Sequence, residues 1–178
     1  MKGRPVVTVG GPHGTGKSTY ARALANALQL RYVCAGQIFR ELARENKMSL
    51  ESFSHYAASN QQVDTTIDER TKAEAAKGSV VIDAQLGAWM VKQADVKLLL
   101  FASNDVRFAR IAHRDRVSYE HARDETLARE KIQKARYLQY YGIDVEDLSI
   151  YTLRIDTGLY TIDKTKKIII EAVRIFLQ

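Results

Sequence analysis

The chain is poor in the features that mark secreted, membrane-bound and fibrous proteins. Its 178 residues include a single cysteine, Cys34, so no intramolecular disulfide can form and a reducing cytoplasm is the expected compartment. Two prolines leave no material for a proline-rich linker. No apolar run approaches the roughly 20 residues that cross a bilayer. The first residues lead into a strand within a few positions, so neither a membrane span nor a secretory leader is expected. The net charge of +6 suggests an anionic partner, yet there is no run of five or more basic residues of the kind that binds nucleic acid. The arginines are dispersed, each able to meet one phosphate group. A guanine-reading Asn-Lys-x-Asp is also missing, because the one Asn-Lys continues as Asn46-Lys47-Met48-Ser49, which excludes a regulatory GTPase.

What is present is organised around residues 6–22. Val6, Val7 and Val9 form a β-branched run that reads as a buried parallel strand. Gly11-Pro12-His13-Gly14-Thr15-Gly16-Lys17-Ser18 follows and fits Gly-x-x-x-x-Gly-Lys-Ser/Thr at every defined position. An Ala/Leu-rich helix begins directly behind it, with Thr19 in its first turn. Strand, glycine loop and helix stand in the order a phosphate cradle requires. The backbone N–H groups converge and the helix adds its positive N-terminal end. Residues 11–19 are therefore expected to bind a nucleoside triphosphate, Lys17 to act catalytically at the β- and γ-phosphates, and the Ser18 hydroxyl to ligand Mg²⁺.

Further along, Leu30–Cys34 reads as a short strand. Ile38, Phe39, Leu42 and Ala43 share one side of a following helix, and Ser49 caps another that carries Leu50, Phe53, Tyr56 and Ala57. A charged helix spans about 63–77 and stops at Gly78. Val80–Ile82 and Val96–Phe101 are two more strand signals. Helices are expected from 105 to about 114, and from the cap Ser118 towards Tyr141, closed by Gly142. Tyr151–Ile155 alternates like a last strand, and 162–177 is an amphipathic helix. Strands alternating with helices predict a single α/β domain over 1–178, a parallel sheet covered on both faces.

Several polar residues fall where this order places a ligand edge. Asp83 closes a buried strand, where a carboxylate holds Mg²⁺ through water or orients the acceptor, or merely caps a turn. Arg40 starts near the same edge, and its guanidinium fork suits a phosphate. Arg107, Arg110 and Arg114 lie on one helical stripe, and Arg129 and Arg136 share a face of the long helix. Such stripes are commonly solvated charge, with Glu120, Asp124, Glu125 and Glu130 as partners. The alternative is a lid that brings positive charge to a transferring phosphoryl group and excludes water.

These residues together resemble a family. The phosphate loop, the stretch Cys34-Ala35-Gly36-Gln37-Ile38-Phe39-Arg40-Glu41-Leu42-Ala43, and Arg129-Glu130 with Arg136-Tyr137 are similar to cytidylate kinases of archaeal type. So are Tyr141-Gly142-Ile143-Asp144, Leu148-Ser149-Ile150-Tyr151 and Asp156-Thr157. The phosphate loop is common to many ATPases, whereas the Ala-Gly-x-Ile-Phe-Arg and Tyr-Gly-Ile-Asp segments are discriminating. The resemblance implies a P-loop nucleoside-monophosphate-kinase fold, a three-layer α/β/α sandwich with an NMP-binding segment at about 35–78 and a lid at about 114–142. It implies transfer of the γ-phosphoryl of ATP to CMP or dCMP with Mg²⁺, by a monomer without nucleic-acid or membrane partners. A kinase of the same fold with another acceptor (AMP, UMP or a small-molecule hydroxyl) is the alternative. Arg40 matches the arginine that grips the monophosphate, and Arg129, Arg136 and Arg110 match arginines that close over the phosphate chain. Asp83 and Gln85 fall in the acceptor site. There the chain departs from the pattern, with Asp83-Ala84-Gln85 in place of Asp/Glu-Gly-Arg, and His13 is also unusual within the loop.

Overall fold

The computed structural model describes residues 3–178, apart from the side chains of Leu50, Glu51 and Ser54. Among the described residues, five strands form one parallel sheet. In chain order the elements are β1 (Val6–Gly10), α1 (Lys17–Leu28), β2 (Arg31–Cys34), α2 (Ala35–Glu45), α3 (Leu50–Ala58), α4 (Gln61–Ala76), β3 (Val80–Asp83), α5 (Gly87–Met90), β4 (Val96–Phe101), α6 (Asn104–Asp115), α7 (Tyr119–Tyr141), β5 (Leu153–Asp156) and α8 (Ile162–Phe176). The strand order is β2-β3-β1-β4-β5. The chain thus changes direction across the sheet beside β1, and in open parallel sheets ligands bind at the carboxyl edge of such a switch.

Alternation along the central strands explains the layers. Val7, Val9, Val81, Leu98 and Leu100 point to the face covered by α1 and α8, where Leu24, Ile169 and Val173 meet them. Val6, Val80 and Ile82 point to the other face, against Ala75 of α4 and Val91. A separate core lies off the sheet, where Ile38, Leu42 and Ala43 of α2 pack on Phe53, Ala57 and Val63. Phe39 and Phe53 meet edge to face at 4.9 Å there. Tyr56 departs from the expected apolar face: it tilts against Phe53 but is 43% exposed. The expected place of Leu50 on that face lies outside the described side chains.

Ser49 and Ser118 cap their helices as expected, each accepting from the backbone N–H three residues on, and Ser103 and Thr161, not expected as caps, do the same. Gly142 ends α7 in the left-handed region. The short helix α5 has no counterpart in the sequence reading. Among the described residues, no helix is long and apolar enough to cross a membrane.

Candidate active site

The loop after β1 is built from backbone freedom. Gly11 has φ +134°, and a Cβ there would collide with the Leu100 carbonyl. Gly14 has φ +80°, and its Cβ would stand 2.6 Å from the Arg107 carbonyl. Both approaches exclude any side chain. They bring the loop against β4 and α6. Lys17 crosses the loop and donates to the Pro12 carbonyl at 2.9 Å, and Thr15 donates to the same oxygen at 3.0 Å. Burial pushes the Lys17 ammonium down to about 8, partly offset by the charge of Asp83.

Asp83 ends β3 beside this loop and is 4% exposed. The Ser18 hydroxyl donates to its Oδ2 at 2.6 Å, and the Tyr32 hydroxyl donates to the same oxygen at 2.7 Å. Parallel pairing aligns Cys34 with Asp83, which brings Tyr32 and Asp83 to one end of the sheet. Burial and the Asp83 charge hold the Tyr32 phenol well above its ordinary range, so it stays a donor. The Arg22 guanidinium lies 5.1 Å from the Tyr32 ring centre. Tyr32 is a site residue that the sequence reading missed. Its signal is its place two residues from the end of an edge strand paired with β3.

A second set of bonds ties the middle of the loop to α6 and α7. Arg107 is 4% exposed and donates to the His13 carbonyl at 2.8 Å, to Asn104 Oδ1 at 2.7 Å and to Glu130 at 2.7 Å. Glu130 in turn accepts from the His13 backbone N–H at 3.1 Å. The His13 ring meets Gln133 Oε1 through Nε2 at 2.8 Å, and burial lowers its pKa to about 4. The ring is therefore neutral at physiological pH. Both Glu130 and Arg107 were candidates for solvated surface charge, and the structure makes them an internal brace of the loop.

The arginine stripe divides. Arg110 donates to the Thr157 hydroxyl at 2.9 Å and to its carbonyl at 2.7 Å, and the Thr157 hydroxyl donates onward to the Thr15 carbonyl at 3.0 Å. Arg114 turns to its neighbour Asp115 at 2.7 Å. Arg129 is exposed on α7, close enough that its charge weighs on Lys17 and His13. Arg136 faces α4 instead, 3.2 Å from Asp64. Arg40 is exposed midway along α2, and its guanidinium reaches back towards Gly36. Lys17, Ser18, Thr19, Asp83, Arg110 and Tyr137 are among the residues around a cleft of about 570 Å³, and Gly36 forms part of its rim. Gln85 stands between this cleft and a second cavity, of about 590 Å³, whose walls include Trp89 and Tyr151.

The cleft thus offers a glycine loop at a helix N-terminus, one lysine, a serine–aspartate pair and two arginines, Arg110 and Arg114. That set suits the binding of phosphates. A model of the cytidylate kinase-like family matches residues 6–159. The chain belongs to that family. A cytidylate kinase of Staphylothermus marinus is 46% identical over 97% of this chain and 98% of its own length. One of Aeropyrum pernix is 44% identical over 93% of this chain and 97% of its own. In fold, the chain is similar to the shikimate kinase of Bacteroides thetaiotaomicron, with a TM-score of 0.66 at 14% identity over 96% of this chain and 98% of that one. This family member therefore has the five-stranded P-loop kinase fold, with the phosphate loop at the place expected from its sequence.

Proposed function

We propose that this chain is an ATP-dependent nucleoside monophosphate kinase that transfers the γ-phosphoryl of ATP to CMP or dCMP, giving ADP and CDP or dCDP. The observation that carries the reading is the convergence of the phosphate loop on Asp83, with Ser18 bonded to it at 2.6 Å, in a cleft that Gly36 and Arg110 also line. The curated relatives named cytidylate kinase, 46% and 44% identical over nearly the whole chain, favour this acceptor over AMP, UMP or a small-molecule hydroxyl.

The division of labour follows from position. Residues 11–19 cradle the α- and β-phosphates with backbone N–H groups, and Lys17 leaves the Pro12 carbonyl to follow the charge that builds on the leaving β-phosphate. Arg40 holds the monophosphate. Arg110 and Arg129 flank the phosphate chain from α6 and α7, and Arg136 is the lid arginine nearest the acceptor side. Asp83, and Gln85 beyond it, line the acceptor end of the cleft. The NMP-binding segment is α2–α4, within about 35–78, and the lid is α7, within about 114–142. Closure of these parts excludes water, which would otherwise compete as acceptor.

Mg²⁺ fits the donors present, two hard oxygens from Ser18 and Asp83 at the phosphate end of the cleft. When bound it neutralises charge on the β- and γ-phosphates. Tyr32 keeps Asp83 in place for that duty when Ser18 turns away. We take the enzyme to work as a monomer in the cytoplasm, where the half-buried, unpaired Cys34 stays reduced, on small nucleotides rather than nucleic acid or membranes.

A coupled ADP-release assay with ATP, Mg²⁺ and CMP tests the reading. Turnover that depends on CMP and collapses in Lys17→Ala is the expected result. ADP release unaffected by CMP would contradict it.

A further inference from the structure

The second half of α7 is held to the rest of the protein mainly by polar contacts. Among the described residues of this helix, Ala122, Thr126 and Tyr137 are buried, and of these only Tyr137 lies beyond residue 126. Apolar packing therefore fixes the first part of the helix. Hydrogen bonds and ion pairs decide where the part with Arg129 and Arg136 lies. Two of those contacts meet on one residue of the phosphate loop. Glu130 Oε1 accepts from the His13 backbone N–H at 3.1 Å, and Gln133 Oε1 lies 2.8 Å from Nε2 of the His13 ring. Glu130 and Gln133 are three residues apart, on one side of the helix. An amide oxygen only accepts, so the ring donates to it from Nε2. From the side of α6, Arg107 donates to the His13 carbonyl at 2.8 Å.

These contacts differ in what they ask of position 13. The bonds to Glu130 and Arg107 use the backbone, which almost any residue would supply. The phosphate-loop pattern also leaves the position open, so phosphate binding does not call for an imidazole there. Only the bond to Gln133 needs the histidine side chain. His13 and Gln133 both line the phosphate cleft, so their bond spans from the loop to the helix at the site itself.

We propose that His13 is a positioning residue for phosphoryl transfer: its ring latches the second half of α7 to the phosphate loop through Gln133, and so holds Arg129 beside the phosphate chain. Arg129 directly precedes Glu130, and its charge is felt at both Lys17 and His13, so the docked helix brings a third cation to the loop beside Lys17 and Arg107. The latch leaves nucleotide binding to the backbone N–H groups and Lys17. Its loss falls on the closed state, in which the transferring group is surrounded by positive charge and shielded from water.

The proposal rests on the reading of α7 as the lid of a kinase, and two measurements separate the two. The first is hydrogen exchange of the amides in 127–141 on the free protein, which needs no acceptor. Exchange about three- to tenfold faster in His13→Ala and in Gln133→Ala is expected from the loss of one neutral hydrogen bond, and wild-type rates in both overturn the latch. The second is steady-state kinetics with ATP and CMP, with phosphate release followed beside CDP formation. Each single variant is expected to lower kcat about three- to tenfold, to leave KM for ATP within about twofold, and to raise the share of ATP lost to water. The double variant is no worse than the weaker single one, because both remove the same bond. His13→Gln, whose amide nitrogen takes the place of Nε2, restores most of the lost kcat. Gln133→Ala leaves the loop sequence untouched and decides the matter if His13→Ala binds ATP poorly. A Gln133→Ala kcat at the wild-type value, or single effects that multiply in the double variant, overturns the proposal. A wild type whose ADP release ignores CMP overturns the kinase reading instead, and the exchange rates still decide whether the latch exists.

Discussion

Replacing Glu130 by glutamine removes one charge and almost no volume, yet it strikes the brace that holds the phosphate loop. Arg107 is 4% exposed, and Glu130 is the carboxylate paired with it at 2.7 Å. Deleting one partner of a buried pair leaves an uncompensated charge and costs about 3–5 kcal/mol. The Glu130 side chain is 22% exposed, so water screens part of that penalty and about 2–3 kcal/mol is expected. For a domain of this size each kcal/mol moves Tm by about 2–4 °C, which gives a fall of roughly 4–12 °C. The glutamine oxygen can still accept from the His13 N–H, so stability rather than loop shape carries the signal. Urea unfolding of Glu130→Leu, Arg107→Leu and the double variant completes the test. The double variant is expected to be more stable than Glu130→Leu, because it no longer buries a lone guanidinium. A Glu130→Gln protein melting within about a degree of wild type, with a coupling energy below about 0.5 kcal/mol, would refute the brace.

Lys17→Ala is expected to lower turnover at least about 100-fold with the fold intact, checked by steady-state rates and a thermal melt. Burial lowers the Lys17 ammonium to about 8 in the free enzyme, and ATP binds the charged form, so kcat/KM for ATP falls as pH rises through that value. A pH profile that stays flat well above it would remove the lysine from this role. His13 has its pKa depressed to about 4, so the folded state resists a proton that the unfolded chain accepts below its ordinary 6.5. Stability is therefore lost as pH falls from 6.5 towards 4 and no further below. At roughly 1.4 kcal/mol per unit this amounts to on the order of 3 kcal/mol, absent from His13→Ala, and equal pH slopes for the two proteins in urea unfolding would contradict it. Arg40→Ala should mainly raise KM for CMP, because that contact is made before and during transfer. Arg136→Ala should mainly lower kcat, because a lid arginine is fully placed only in the closed state, and steady-state kinetics on both variants distinguish the roles.

The sheet was legible because its central strands are buried on both faces and so carry continuous β-branched and leucine runs, and two helices were announced by their caps, Ser49 and Ser118. The phosphate loop was legible because its glycines answer to backbone geometry that no other residue satisfies. Helix α5, only four residues long, is too short to show a period. Arg107 shares a three- and seven-residue spacing with Arg110 and Arg114, yet the three guanidiniums go to the loop, to Thr157 and to Asp115. Spacing says which residues share a side of a helix and is silent on which neighbour each long side chain reaches. The same holds for Glu130, which pattern alone cannot tell from its exposed neighbours on α7. Tyr32 and the Asp64–Arg136 contact become meaningful only when β2 pairs with β3 and α4 meets α7, contacts between parts of the chain that are distant in sequence.

The central claim is the choice of acceptor, and the most direct test is the kcat/KM of the wild type for CMP, dCMP, UMP, AMP, GMP and dTMP with ATP and Mg²⁺ in one coupled assay. A buried hydrogen-bond mismatch costs roughly 1–3 kcal/mol, so CMP or dCMP is expected to exceed AMP, GMP and dTMP by at least about tenfold, with UMP the nearest competitor. AMP as the best acceptor would contradict the account at the level of substrate while leaving the phosphoryl-transfer machinery in place.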